Sequence, residues 1–151
     1  LKIDTKNVLN SASSKWNFIS FKPGLVGGGC ITKDPYILLN ISKKVGYESK
    51  LIGISREIND SMGNYIADII VKTMLDSGLD IKKSNLLILG FTYKKNSVDA
   101  RNSRVLDLVE RLKKYDLTTV VFDPLFCKAL YNKLVNSCLE SSFISKKFFI
   151  I

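Results

Sequence analysis

From Lys50 to Ser77, apolar side chains return every third or fourth position: Ile52, Ile58, Met62, Tyr65, Ile66, Ile69, Ile70 and Met74. That spacing gathers them on one stripe of an α-helix and on no face of a strand. The run closes at Gly78, the residue type that most readily adopts the left-handed conformation just past a helix end. A helix this long has to be covered along its side, so the rest of the chain must supply elements that pack against it.

Residues 4–14 are polar with apolar Val8 and Leu9, and read as the end of a helix. From Lys15 to Asp34, Pro23 and four glycines (Gly24, Gly27, Gly28, Gly29) break any period, which predicts a loop. A helical pattern resumes at Pro35, with Ile37, Leu38 and Ile41 on one face, and stops near Gly46. Beyond the long helix, Asp80–Ser84 is a short polar connector, and the domain boundary is expected there. The chain then alternates. Leu86-Leu87-Ile88-Leu89-Gly90-Phe91 reads as a strand buried on both faces. Residues 103–115 form an amphipathic helix with Val105, Leu106, Leu108, Val109 and Leu112 inward, and Thr118-Thr119-Val120-Val121-Phe122 is a second buried strand ending at Asp123-Pro124. A strand–helix–strand unit of this length makes a parallel crossover. The fold class is therefore α/β overall: a mainly helical piece over 1–79, then a Rossmann-like parallel unit over 80–151. Residues 125–151 read as a weak helix followed by Lys146-Lys147-Phe148-Phe149-Ile150-Ile151. Two strands alone make no stable sheet, so the second unit reads as cut short. The start, Leu1-Lys2-Ile3-Asp4-Thr5, has neither an initiator Met nor a signal-peptide pattern, and reads like the middle of a longer protein.

Composition excludes several kinds of chemistry. The 151 residues contain no histidine, so a Ser-His-Asp triad, a histidine zinc site and a histidine general base are all ruled out within them. Cys30, Cys127 and Cys138 have neither metal-ligand spacing nor a paired framework, which points to no metal and to a reduced, cytoplasmic setting. The 23 Lys and Arg against 14 Asp and Glu give a net charge of +9, which suits an acidic ligand. The lysines are scattered, and the aromatics are not interleaved with them as a base-stacking platform needs, so no nucleic-acid partner is expected. No apolar run approaches the roughly 20 residues of a membrane span, so no membrane partner is expected either.

The segment Phe21-Lys22-Pro23-Gly24-Leu25-Val26-Gly27-Gly28-Gly29-Cys30-Ile31-Thr32-Lys33-Asp34-Pro35-Tyr36 carries the chemistry. Three glycines ahead of a cysteine let backbone amides come close to a ligand, because no Cβ stands in the way. A helix start just beyond favours a thiolate. Asp34, four residues on, is suited to hold a water or a sugar hydroxyl. From the residues alone two readings stay open for Cys30, a nucleophile or a small buried hydrophobe.

This segment, together with Arg56-Glu57-Ile58-Asn59-Asp60, resembles the UDP-glucose/GDP-mannose dehydrogenase family. The likeness continues through Leu89-Gly90-Phe91-Thr92-Tyr93-Lys94-Lys95-Asn96, Asp99-Ala100-Arg101-Asn102-Ser103 and Phe122-Asp123-Pro124, covering roughly residues 1–124 with the motifs in order. Within the family it is most similar to the UDP-N-acetylhexosamine 6-dehydrogenases of bacterial surface polysaccharide synthesis. The resemblance implies NAD-dependent oxidation of a UDP-sugar at C6 to the uronic acid, through a thiohemiacetal and thioester on Cys30, with Asp34 assisting. It implies substrate contacts from Gly27, Gly28, Phe21 and Lys94, and cofactor contacts from Lys33 and Arg101. Pairing through the long helix implies a homodimer, an expectation helped by apolar residues reaching round more than one face of that helix. Gly29 stands where similar members carry histidine or serine. No G-x-G-x-x-G follows a strand, so the dinucleotide fingerprint is missing from these residues. The expectation is an incomplete chain, inactive alone; the alternative is a non-catalytic remnant that keeps only dimerisation or UDP-sugar binding.

Overall fold

A computed structural model describes residues 3–126 and 149–150. Helix α1 spans Thr5–Ala12. Asp4 starts it, its carboxylate accepting from the backbone N–H of Lys6 at 2.7 Å and Asn7 at 3.3 Å. Residues 4–14 thus contain a short helix with its own start rather than the tail of another.

Helix α2 spans Gly29–Lys44, beginning six residues before the expected Pro35. The break in period belongs to the glycines up to Gly28, whose φ of 92° is the last non-helical conformation. Pro35 lies inside α2, where it gives up one backbone hydrogen bond without ending the helix. At the other end, Gly46 turns the chain with φ 78°, as its position predicted.

The long helix, α3, spans Lys50–Asp76 and is closed by Gly78 at φ 73°. Its C-terminal half is the spine of the core: Ala67, Ile70, Val71 and Met74 are buried against Leu86 and Ile88, against Val105, Leu108 and Leu112, and against Leu117. The rest of the predicted stripe is less covered, and Ile58, Tyr65 and Ile69 are exposed. After a 3-10 turn at Ile81–Lys83, strand β1 (Asn85–Leu89), helix α4 (Val105–Lys113) and strand β2 (Thr118–Phe122) follow in order. β1 pairs parallel with β2 over its full length, Asn85 opposite Thr118 and Leu89 opposite Phe122. On its other edge β1 pairs parallel with β3 (Phe149–Ile150), which makes the order β2-β1-β3. The described sheet therefore has one strand more than the two read from sequence, while residues 127–148, which hold most of the weak helix read there and the start of the 146–151 stretch, lie outside the described residues. β1 is central but not equally buried on both faces: Leu86 and Ile88 are enclosed, Leu87 is half-buried and Leu89 is open. On α4, Val105, Leu108 and Leu112 point inward as expected, but Leu106 is 49% exposed because it falls outside the stripe facing α3.

The approach of α3 to α4 is set at Gly63, which is buried. A Cβ there would meet the Asp107 Cβ at 2.8 Å, the Arg104 carbonyl oxygen at 2.9 Å and the Leu108 nitrogen at 3.1 Å. One turn-pair further on, Asp68 of α3 accepts from the Arg111 Nε at 2.9 Å and Nη2 at 3.1 Å and from the Tyr115 hydroxyl at 2.8 Å. Gly63→Ala should therefore destabilise the fold, although alanine in an exposed helix interior is worth about 1 kcal/mol over glycine. Overpacking costs about 1–3 kcal/mol, so a net loss of about 1 kcal/mol is expected in thermal or urea unfolding. A melting temperature equal to or above the parent's would show that the two helices separate at little cost.

Candidate active site

The glycine turn is pressed onto the loop between β1 and α4. The Gly28 N–H donates to the Arg101 carbonyl at 3.2 Å. Both Gly27 and Gly28 are buried. A Cβ at Gly27 would lie 2.4 Å from the Asn102 carbonyl oxygen, and one at Gly28 would lie 2.9 Å from the Tyr93 ring. These are the positions where glycine is required, for close approach and, at Gly28, for its positive φ as well. Asn102 completes the contact: its Nδ2 donates to the Gly28 carbonyl at 3.2 Å and to the Thr32 hydroxyl oxygen at 2.8 Å.

Cys30 follows at the second position of α2, inside the first turn rather than just before the helix, and its thiol is exposed. Within this chain Cys30 is thus not buried as a small core hydrophobe would be. Lys33 and Asp34, both exposed, stand one turn further along the same face. Arg101 is exposed beside this turn, and Asp99 holds its guanidinium: Nε donates to Oδ1 at 2.9 Å and Nη2 to Oδ2 at 2.6 Å. The Arg101 pKa is raised by that hydrogen bond and by the Asp99 charge, with smaller contributions from Tyr93 and Cys30. The Asp99 carboxyl is pulled down to about 2, first by the Arg101 side chain and then by the Arg101 backbone N–H. A depressed acid stabilises the folded chain above its ordinary pKa and loses that contribution as the pH falls through its folded value. The pair should thus survive from neutral pH down to the acid limb near about 2. In a carboxyl-detected NMR titration Asp99 should show a midpoint there, and Arg101→Ala should move it up toward the ordinary carboxylate value without reaching it, because the backbone N–H of residue 101 still donates to Asp99. An Asp99 midpoint that stayed put in Arg101→Ala would assign the shift to another cause.

The other predicted residues lie at two further places. Phe21, two-thirds exposed, lines with Lys22 and Pro23 a cavity of about 560 Å³ against Thr5, Lys6 and Leu9 of α1. Lys94 lines a smaller cavity of about 300 Å³ with Gly90, Thr92, Lys95 and Pro124, at the C-terminal ends of β1 and β2. Ligands of open α/β sheets bind at this end of the strands. Asp123 shapes the loop there, accepting from the backbone N–H of Phe91 at 2.9 Å and Thr92 at 3.2 Å, and from Leu125 at 3.1 Å and Phe126 at 3.0 Å. Burial raises the Asp123 pKa, but those four backbone donors outweigh it, and the net shift is downward. Lys94 is tied to the glycine turn through Tyr93: its Nζ sits 5.6 Å from the ring centroid, and the same ring covers Gly28. Cys30, Lys33, Asp34 and Arg101 thus gather at the start of α2, Lys94 stands beyond Tyr93, and Phe21 faces a separate cavity.

The far end of the motif forms a polar junction. Asp60 on α3 accepts from Arg56 at 2.8 Å, from Arg104 at the start of α4 and from the Tyr36 hydroxyl on α2. Burial raises the Asp60 pKa, but the Tyr36 and Arg56 hydrogen bonds and the two arginine charges outweigh it and lower it overall. The Tyr36 phenol is raised, chiefly by donating to Asp60.

Two sequence-family models match the chain: the UDP-glucose/GDP-mannose dehydrogenase family central domain over residues 1–61, and that family's UDP binding domain over 87–145. The chain belongs to the UDP-glucose/GDP-mannose dehydrogenase family. UDP-N-acetyl-D-glucosamine 6-dehydrogenase of Salmonella typhi is 48% identical over 124 residues, covering 82% of this chain and 29% of the relative. Protein CapL of Staphylococcus aureus is 45% identical over 123 residues, with the same coverage. Among solved structures, UDP-D-ManNAc dehydrogenase of Pyrococcus horikoshii superposes with a TM-score of 0.73 at 28% identity, covering 82% of this chain and 29% of that one. The chain thus spans under a third of the length of these dehydrogenases. Among the described residues no helix is long and apolar enough to cross a membrane, and no group of His, Cys, Asp and Glu could hold a metal ion.

Sequence reasoning gave no role to Tyr93, Asn102, Thr32 or Asp99, although all four lie in the quoted motifs. The Asn102 contacts to Gly28 and Thr32 cross 74 and 70 positions of chain, and no local spacing reveals them, whereas Asp99 acts on Arg101 only two residues away. For a cofactor such as NAD, Lys33 and Arg101 fit its phosphates in charge and exposure; the described residues hold no glycine-rich dinucleotide cradle. Gly29 differs from its neighbours, since a Cβ there would meet nothing within 4 Å. Gly29→Ala should therefore be neutral or stabilising by up to about 1 kcal/mol, whereas Gly28→Ala should lose at least about 1 kcal/mol to strain and the Tyr93 clash. Equal melting temperatures for the two variants would contradict this account of the turn.

Proposed function

We propose that this chain is the part of a nucleotide-sugar 6-dehydrogenase that carries the covalent nucleophile and the beginning of the UDP-binding unit. A UDP-N-acetylhexosamine is the substrate and NAD the electron acceptor, in surface polysaccharide synthesis in the cytoplasm. One observation carries the reading: an exposed Cys30 in the first turn of α2, on a glycine turn seated against Tyr93, Arg101 and Asn102 of the segment matching the UDP-binding model. The names of the similar proteins support the substrate class. The helical unit is 1–79 and the nucleotide unit 80–151.

In this reading the C6 alcohol first loses a hydride and its hydroxyl proton to become an aldehyde, and the Cys30 thiolate then adds to that carbon, forming the C–S bond of a thiohemiacetal whose oxygen takes a proton. Loss of a hydride from C6, together with the hydroxyl proton, leaves a thioester. Water then adds, the C–S bond breaks, and the thiolate returns with the carboxylate product. NAD, when bound, supplies the hydride acceptor for both oxidations, with Lys33 and Arg101 at its phosphates. Asp34, one turn from Cys30, orients the water or the reacting hydroxyl. Gly27 and Gly28 let backbone approach the sugar, while Phe21 and Lys94 hold the nucleotide-sugar.

In the full-length enzyme, Cys30→Ser should cut acid production by several orders of magnitude, each factor of ten being about 1.4 kcal/mol of barrier, because serine is the poorer nucleophile at neutral pH. UDP-sugar binding should persist, and mass spectrometry of wild-type enzyme quenched in turnover should find a uronyl adduct on the Cys30 peptide. Near-normal acid production by the variant would remove Cys30 from the chemistry.

The assembly we propose is a homodimer through α3, whose Ile54, Ile58, Tyr65 and Ile69 stay exposed in the single chain. Sedimentation at micromolar concentration should give a dimer, and a clean monomer would exclude that assembly.

A further inference from the structure

We propose that Asn102 is a positioning residue for Cys30, a role that rests on the reading of Cys30 as nucleophile and names what fixes its turn. The N-cap of α2 is Gly28, which has no side chain with which to tie down the helix start. The tie comes from elsewhere in the chain. The Asn102 amide group donates one hydrogen to the Gly28 carbonyl at 3.2 Å and the other to the Thr32 hydroxyl oxygen at 2.8 Å. Thr32 in turn donates its only hydroxyl hydrogen to the same Gly28 carbonyl at 2.5 Å.

The three groups are mutually consistent in donors and acceptors. A carbonyl accepts only, so the amide must present nitrogen to it, and a flipped Asn102 would set oxygen against oxygen. Thr32 is buried and Cys30 lies midway between the two clasped residues, so the ring of hydrogen bonds encloses the turn that bears the thiol. Asn102 holds a left-handed φ of 53°, a conformation asparagine tolerates better than other side-chained residues. That conformation leaves its neighbour's carbonyl, Arg101 C=O, accepting from the Gly28 N–H. One short turn therefore fixes both the guanidinium beside Asp99 and the start of α2.

The test uses the full-length enzyme and a readout independent of turnover: the rate of Cys30 alkylation by iodoacetamide at neutral pH, followed by peptide mapping so that Cys127 and Cys138 are scored separately. Loosening the first turn of α2 scatters the free backbone N–H groups of the helix start beside which Cys30 stands. Asn102→Ala and Asn102→Asp should slow Cys30 alkylation at least threefold, as should Thr32→Val, while Thr32→Ser should restore the parent rate. In turnover Asn102→Ala, Asn102→Asp and Thr32→Val should lose at least tenfold in kcat with KM for the UDP-sugar changed less than about twofold. Unchanged alkylation in folded Asn102→Ala, or Thr32→Val reacting like Thr32→Ser, overturns the proposal; the threonine pair decides it if the Asn102 variants do not fold. If alkylation responds as expected but Cys30→Ser leaves acid production intact, the positioning holds and the reading of Cys30 as nucleophile is what fails.

Discussion

Close contact between α3 and α4 at Gly63 is the constraint on which the other elements depend, because the sheet has no other helix to rest on among the described residues. With no side chain at that point, the Arg104–Leu108 backbone comes within reach of α3, and the apolar faces of the two helices meet β1 from one side. Burial of Met74, Leu86 and Leu112 then follows, each of them fully enclosed. Burying an aliphatic side chain of this size is worth about 1.5–3 kcal/mol, so a few such residues dominate the stability of the unit. The loop from Tyr93 to Asn102 has its direction fixed at both ends, by β1 and by α4, and so presents a firm surface to the glycine turn.

Helix α2 is held quite differently. Its two buried residues, Thr32 and Ser42, are polar, and Ile31, Ile37, Leu38 and Ile41 all remain exposed. What fastens it is a set of hydrogen bonds: the Gly28 and Asn102 contacts at its start, and the Tyr36 hydroxyl on Asp60 in its middle. Each such bond contributes about 0.5–1.5 kcal/mol net, well below the burial of one large apolar side chain. The element bearing the cysteine is therefore directionally well specified but weakly anchored. Its exposed apolar face asks for cover from outside the described residues, as expected of a chain spanning under a third of its relatives.

Much of this architecture was legible because its signals are local. The glycines closing α2 and α3, the limits of α3 and the residues of β2 were readable from periodicity and from the special conformations glycine permits. The start of α2 was not, because a run of glycines looks like loop throughout, whereas the loop ends at Gly28 and the helix already includes Gly29; Pro35 is tolerated within it. Leu106 was misjudged for a related reason: hydrophobicity says that a residue could be buried, and only the direction of the packing partner says whether it is. Around the cysteine, residue type and order singled out Cys30, Asp34 and the glycines as candidates. The residues that make the turn rigid were invisible, since Tyr93 and Asn102 act on it across long sequence separation and through contacts as ordinary as a ring edge and an amide.

The pairing of Arg101 with Asp99 bears on how one guanidinium could serve an anionic ligand while already engaged. Arginine has five N–H donors in a rigid fork. Asp99 takes the Nε hydrogen, shared between its two oxygens at 2.9 and 3.1 Å, and one hydrogen of Nη2 at 2.6 Å. Two hydrogens on Nη1 and one on Nη2 are left, on the side of the fork away from the carboxylate. The partner thus aligns the fork without exhausting it. It also offsets part of the positive charge, so a ligand must match the direction of the remaining donors rather than only bring negative charge. With the Arg101 carbonyl fixed on Gly28, that direction is set relative to the same turn that carries Cys30. A phosphate bound at Arg101 and a carbon bound at Cys30 would then be registered to each other through that backbone hydrogen bond and the Asn102 side chain beside it, and small displacements of that turn would be felt at both.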